Sequence, residues 1–349
     1  MEIQAAHPAL ASPFLSPHFA IAVGRVRPEV RVDIASDSTG VIGFLPYERR
    51  RLGFGTALAQ GLSDIQAVIA PPTAEIDLGA LLRGCGLRVW EFDHLLAHQE
   101  GWASSAVARL AHERSPALDL SAGWDAYEQA QRAVSSSLFQ STARKRRKLE
   151  RTHGPVRLVF DEADRAALEQ VLRWKSDQYR RTGRRDRFAD AGTRALIHDL
   201  FDLREPTFGA PLTVLFAGDT IVAGHLGLRS ATILAWWFPV YDPNFAAFSP
   251  GLVTVLDLAR AMTAQGLSLF DLGKGDEPYK DRLRNTEIPL LRGSVACDRA
   301  TAAIDGARRW PRERATEVVL RTPRLRSWAR TALNRVGAVR AQLGARRGS

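Results

Sequence analysis

Apolar and polar residues alternate through Val30-Arg31-Val32-Asp33-Ile34-Ala35, the period of a half-buried strand. Turn formers fill residues 36–40, and Val41-Ile42-Gly43-Phe44-Leu45-Pro46 gives a second strand, so the pair reads as a hairpin. The glycines of Arg49-Arg50-Arg51-Leu52-Gly53-Phe54-Gly55 lack the spacing of a phosphate loop and read as a plain connection. Residues 65–70 are a short apolar run stopped by Pro71-Pro72, residues 77–83 a short helix ended by Gly84, and residues 87–92 a strand. Two strands around an irregular excursion fit residues 95–122. From Trp124 to Arg151 the spacing is helical, with Leu138, Phe139, Ala143 and Leu149 inward and Gly154-Pro155 as the stop.

A clearer unit follows. Residues 156–160 are a strand. Residues 164–180 form a helix with Leu168, Val171, Leu172 and Trp174 as its inner stripe, and residues 190–204 a second helix. Strands at 212–217 and 220–228 flank Gly218-Asp219, a strong hairpin signal. An aromatic strand at 231–241, containing Trp236-Trp237, leads to Ser249-Pro250-Gly251 and a helix over 252–265 that Gly266 ends. The apolar run 267–272 then opens into Gly273-Lys274-Gly275-Asp276, and residues 290–296 are a last strand. The order β-α-α-β-β-β-α-β-β, with a crossover helix after Pro250, predicts an α/β fold with a mixed sheet. Residues 19–120 are a weaker version of the same plan.

Composition narrows the class. At 349 residues, 45% hydrophobic and 25% charged, the chain fits a soluble globular protein of two domains. It has neither an apolar run long enough to span a membrane nor the order of a signal peptide, and cytosol is the expected compartment. Cys85 and Cys297 fit neither a metal motif nor a disulfide framework and read as small hydrophobes. The net charge of +10 is uneven: residues 307–349 hold twelve arginines against Glu313 and Glu317, so that segment alone carries +10. A neutral body with a basic appendage argues against a body built to hold nucleic acid. In the appendage Leu325, Trp328, Ala332, Val336, Val339 and Leu343 share one helical face, flanked by Arg324, Arg326, Arg330, Arg335 and Arg340. Such a helix over 324–343 suits an anionic membrane surface, at roughly 1 kcal/mol per well-placed arginine. Packing on the body and binding of RNA are the alternatives.

Candidate chemistry centres on the crossover. Ser249 is placed as an N-cap, Pro250 at the first helical position, and Gly251 leaves the backbone open to a ligand. The amides of Gly251, Leu252 and Val253, with the helix dipole, would hold a phosphate; a merely well-capped helix is the plain alternative. Asp276 follows glycines at the end of a strand, where α/β folds place ligands, and is the first candidate for a base or acceptor anchor, or else a loop cap. Lys280, with Tyr279, would contact a donor phosphate or the acceptor, or be solvated. His225 lies in an apolar strand, as a catalytic candidate or a hydrogen-bonded core histidine. Arg144-Lys145-Arg146-Arg147-Lys148 reads as the solvated face of a helix, with phosphate binding as the alternative. No cluster has metal spacing and no Gly-x-Ser-x-Gly elbow is present, so neither a metal nor an acyl-serine is expected.

These elements together resemble the GNAT acyltransferase fold, and in detail its CelD/BcsL-like branch of BioF2-like acetyltransferases, relatives of the FemX aminoacyltransferases. The residues that carry the resemblance are Phe44-Leu45-Pro46-Tyr47, Leu62-Ser63-Asp64, the arginine-rich helix ending at Leu149, Lys175-Ser176-Asp177-Gln178-Tyr179-Arg180, Tyr241-Asp242-Pro243, Ser249-Pro250-Gly251, and Asp271 to Asp276 with Tyr279-Lys280. It spans about residues 10–300. It implies tandem GNAT-like domains, over 1–122 and 123–303, before a basic helical tail over 304–349. It also implies acetyl-CoA or another acyl-CoA as co-substrate, bound mostly in the second unit, and a sugar or cell-envelope precursor as acceptor. Tyr241 would act as general acid towards the leaving thiolate or serve as a core aromatic, and Asp64, Lys175, Tyr179 and Tyr279 would meet the substrate. Ser-Pro-Gly stands where typical GNAT enzymes carry an arginine- and glycine-rich pyrophosphate loop. The competing expectations are transfer from aminoacyl-tRNA, as FemX relatives perform, and a non-catalytic scaffold of a polysaccharide synthase. A place at the inner face of the membrane, or on an envelope-synthesis partner, would fit any of the three.

Overall fold

The computed structural model describes residues 2–38, 40–103 and 106–308. The chain opens with α1 (Glu2–Ala6) and α2 (Pro17–Val26), whose first turn is capped by Ser16 and entered through Pro17. The predicted hairpin is β1 (Val30–Asp37) and β2 (Gly40–Arg49), followed by β3 (Phe54–Ala57). α3 (Leu78–Gly84), capped by the Asp77 side chain, leads to β4 (Val89–Leu96) and the long β5 (Val107–Asp119). α4 (Trp124–His153) leaves helical geometry at Ser135 and ends at Gly154. Then come β6 (Val156–Val159), α5 (Arg165–Arg181), α6 (Ala191–Asp202), the short β7 (Arg204–Glu205) and β8 (Phe208–Gly209), and the hairpin β9 (Leu212–Ala217) and β10 (Thr220–Arg229). Gly218 makes that turn at φ +57°, as Gly-Asp between two apolar runs predicts. β11 (Ile233–Tyr241), α7 (Pro250–Thr263), β12 (Leu269–Asp271), α8 (Pro278–Leu283) and β13 (Thr286–Ala296) follow, and residues 299–308 are helical.

The thirteen strands of the described residues join one mixed sheet, ten of them in two groups of five on one plan and β6, β7 and β8 at its β9–β10 edge. β1, β2 and β3 run antiparallel, β4 lies parallel to β3, and β13 antiparallel to β4. β9, β10 and β11 run antiparallel, β12 lies parallel to β11, and β5 antiparallel to β12. The fifth strands are exchanged: β5 follows the first group in the chain but completes the second, and β13 follows the second but completes the first. β5 and β13 then pair with each other from Val107↔Ala296 to Ala117↔Thr286, welding the halves together. The sequence reads the strand at 290–296 as the end of the second unit, because pairing partners nearly two hundred residues away leave no local mark. α2, α5 and α6 pack on one face of the second group through Phe14, Phe19, Leu168, Leu200 and Trp237. α4 and α7 cover its other face through Leu138, Phe139, Leu258, Trp236 and Phe270.

Several expectations change. Residues 65–70, an apolar run in the sequence, form isolated bridges through Gln66 and Ile69. Ala143 is exposed, and Thr142 takes its place on the inward stripe with Leu138, Phe139 and Leu149. Cys85 is buried and Cys297 partly buried, and neither is bonded to the other. The basic helix expected over 324–343 lies outside the described residues. Among the described residues no helix is long and apolar enough to cross a membrane.

Candidate active site

The site grows from one extra residue. β10 and β11 pair Leu226 with Phe238 but Leu228 with Ala235, so β11 carries one residue more than its partner, at Trp236-Trp237. A bulge of this kind bends the strand and re-aims its side chains. Trp236 stacks on His225 at 4.3 Å and meets Phe270 edge-on, on the α7 face. Trp237 packs on Phe14 and Phe19 on the α5 face, and its Nε1 donates to the Leu62 carbonyl at 2.7 Å. On its other side β11 pairs with β12 only at Ile233, Leu234 and Ala235. From the bulge onward the two strands part. The gap is a cavity of about 460 Å³, walled by Lys175, Gln178 and Tyr179 of α5, by Trp236, Pro239 and Tyr241 of β11, by Ser249, Gly251 and Leu252 at the start of α7, and by Glu277 and Tyr279.

The mouth of α7 differs from the sequence expectation. Ser249 occupies the N-cap position but sits in the left-handed region, at φ 50° and ψ 54°, a conformation that costs a side-chain-bearing residue about 1–2 kcal/mol. Its hydroxyl does not cap the helix; it accepts from Lys145 Nζ at 2.7 Å. Its carbonyl accepts from the Leu252 and Val253 amides at 3.0 and 3.3 Å, so two of the three amides expected to hold a phosphate already have partners. The positive charge at this mouth is therefore supplied largely by Lys145. The basic run it belongs to is docked rather than simply solvated: Arg146 donates to the Val156 carbonyl and pairs with Asp257 at 3.4 Å, and Lys148 lies over the Phe248 ring. A run of five basic residues gives no sequence signal of which of them faces a neighbouring helix.

Lys175 is the most perturbed group in the cavity wall. Its Nζ donates to the Pro239 carbonyl at 2.7 Å and lies 5.5 Å from the centre of the Tyr179 ring. Desolvation, reinforced by the Arg184 guanidinium and opposed by Glu277, brings its amine down to about 7. Tyr179 is buried and its phenol is pushed up by desolvation. Tyr279 accepts a hydrogen bond from Trp236 Nε1 at 3.1 Å, and burial raises its phenol to about 12. Tyr241 stands at the rim, 38% exposed, beside Gly251.

The other predicted residues lie around this cavity rather than in its wall. His225 is fully buried; its Nε2 faces the Ala235 carbonyl at 3.2 Å, its Nδ1 has no partner, and desolvation takes it down to about 3. It is a neutral core histidine under Trp236, not a group that reaches the cavity. Asp276 is exposed and outside the wall; the neighbouring Glu277 takes that place. Lys280 is buried and folds back, donating to the Gly273 carbonyl at 3.0 Å and pairing with Glu277 at 3.1 Å, so it is committed to holding the loop after β12. Asp64, half-buried, has its carboxyl raised to about 6 by desolvation, with His94 opposing and Asp271 adding. Asp271, which sequence reasoning passed over, is buried, accepts from Ser115 Oγ at 2.5 Å and from the Gly273 amide at 2.9 Å, and is raised by desolvation. Among the described residues no group of histidine, cysteine and carboxylate side chains is placed to hold a metal ion.

The strand parting, the crossover helix and most of the cavity wall fall within the stretch that the comparisons pick out. Residues 136–281 match the family model described as an acetyltransferase (GNAT) domain. No curated protein matches the chain by sequence. Among solved structures, FemX is similar at 9% identity and a TM-score of 0.57, covering 87% of this chain and 96% of its own. The C-terminal domain of a putative lysylphosphatidylglycerol synthetase from Agrobacterium fabrum is similar at 15% identity and a TM-score of 0.52, covering 83% and 91%. At such identities the likeness is one of fold. Residues 136–281 are thus similar to a GNAT acetyltransferase domain, within an α/β fold whose two halves share one strand order.

Proposed function

We propose that the protein transfers an acyl group from acyl-CoA, with acetyl-CoA as the first choice, to an amine or hydroxyl of a polar acceptor such as a sugar-linked cell-envelope precursor. The observation that carries the reading is the open gap beside β11, which crosses the sheet and has a helix start and a lysine at one end. Donor phosphates belong at Lys145 and the first turn of α7, and the pantetheine arm belongs along the unpaired edge of β11 between Trp236 and Tyr241. The acceptor enters from the α5 side, where Gln178, Thr182, Arg184 and Glu277 make the rim polar. There Lys175, deprotonated near neutral pH, takes the proton from the acceptor, and Tyr241 protonates the departing thiolate. Residues 324–343 would bring this site to an anionic membrane surface or an envelope-synthesis partner.

Calorimetry with CoA and acetyl-CoA tests the donor half of the proposal. One bound molecule per chain, weakened by Gly251→Leu, is the expected result. Binding of aminoacyl-tRNA without CoA binding would favour the second transferase reading, and binding of neither would favour a scaffold.

A further inference from the structure

The chain holds 48 basic residues, and only five are lysine: Lys145, Lys148, Lys175, Lys274 and Lys280. All five fall between residues 145 and 280. Lys145 is hydrogen-bonded to Ser249 and Lys148 lies over Phe248. Lys274 pairs with Glu113 and Lys280 with Glu277. Lys175 alone lines the cavity. A guanidinium is not a nucleophile at neutral pH, whereas a neutral amine is. Among the described residues the fold therefore presents one lysine amine to whatever occupies the gap.

Resting on the acyl-CoA reading above, we propose that Lys175 is a self-acylation site: when a thioester donor is bound and no acceptor is present, its Nζ takes the acyl group and the enzyme is silenced. The geometry allows it. One N–H of the amine is held by the Pro239 carbonyl at 2.7 Å, on the strand that forms the donor wall, which leaves the lone pair free for the cavity. In the step, the Nζ lone pair attacks the thioester carbonyl and a C–N bond forms. The tetrahedral oxyanion collapses, the C–S bond breaks, and CoA leaves as the thiolate. The proton lost from nitrogen passes to that sulfur, giving the free thiol and an N-acyl lysine. The amide nitrogen has no basic lone pair, so the modified chain has lost its proton acceptor. Desolvation keeps the unmodified amine neutral above about pH 7, which favours the attack.

The test is a peptide mass map of the full chain after incubation with acetyl-CoA, beside calorimetry with CoA on the same preparation. The expected result is one acetyl group per chain, with occupancy at Lys175 about tenfold or more above each of the other four lysines. Adduct formation should rise as pH passes through about 7. Lys175→Arg, which keeps a donor for Pro239, should lose the adduct and retain CoA binding. CoA binding with Lys175 unmodified, or with acetyl groups confined to exposed Lys148, overturns the proposal and leaves the donor reading standing. Absence of CoA binding overturns both.

Discussion

The two halves share one strand order and differ in what fills the place where their strands part. In the first half β3 stops at Ala57, but residues 65–70 take over its course. The Gln66 amide donates to the His94 carbonyl and the Leu96 amide to the Gln66 carbonyl, while Ile69 and Phe44 exchange two hydrogen bonds. Leu62, Ile65, Ala67 and Val68 are buried there, and the residual void is about 10 Å³. In the second half nothing takes over: β11 runs on past β12 and the gap is about 460 Å³. The same arrangement has thus become core in one copy and a cleft in the other. What decides between them is the start of the crossover: in the first half residues 65–70 bridge β2 and β4 before the chain turns into α3, and in the second the helix that starts at Pro250 follows β11 with no such segment between.

That contrast can be broken from either side. The largest effect on ligand binding should come from Gly251→Leu. A Cβ there meets Tyr241 at an ordinary 3.7 Å, so the fold accepts it, while the longer side chain occupies the cleft. CoA affinity should fall about 10–100-fold with little change in melting temperature, as calorimetry and thermal unfolding would show. The mirror substitution, Ile65→Ala in the plugged half, should do the reverse: a loss of about 2–4 kcal/mol in denaturant unfolding with CoA affinity unchanged.

Lys175→Met should lower kcat about 10²–10⁴-fold and abolish the rise of activity through pH 7 that deprotonation of this amine predicts in the parent protein. It also has a signature in stability. The folded value of about 7 lies below the ordinary 10.5, so between those values the folded chain binds fewer protons than the unfolded one, and burial of Lys175 weighs most below about pH 7. Relative to the parent, the variant should gain stability at pH 6 and lose that gain by pH 10–11, as denaturant midpoints across the range would show. The smallest effect is expected from Lys145→Ala, about 3–10-fold weaker CoA binding and a shallower dependence of affinity on salt.

The parts of this account that the sequence displays are local. Gly218-Asp219, Asp77 and Pro250 each act on neighbours within a few residues, so the hairpin, the cap and the helix start could be read directly. The tandem plan and the cleft's location at the crossover followed from the order of such elements. The exchange of β5 and β13, the bulge at Trp236-Trp237 and the plug at 65–70 depend on register between distant strands, which no window of sequence contains. The placement of some predicted site residues was hidden for the same reason. Asp276 looked exposed to ligand because it follows two glycines, yet the loop folds around Lys280 and turns Glu277 to the cleft. His225, a catalytic candidate in the sequence, lies buried under Trp236 with its Nε2 facing the Ala235 carbonyl. Lys175 was legible only as part of a resemblance; its perturbation arises from desolvation where α5 packs on β11, with the Arg184 guanidinium adding.

The central claim is that one cleft of the pair, and not the other, takes a phosphorylated thioester donor. A crystal structure with CoA tests it most directly. The account predicts a single CoA per chain, its phosphates beside Lys145 and Gly251 and its arm along Trp236 to Tyr241. CoA seated against residues 58–70 of the first half, or a second cleft closed by its own side chains with CoA elsewhere, would contradict it.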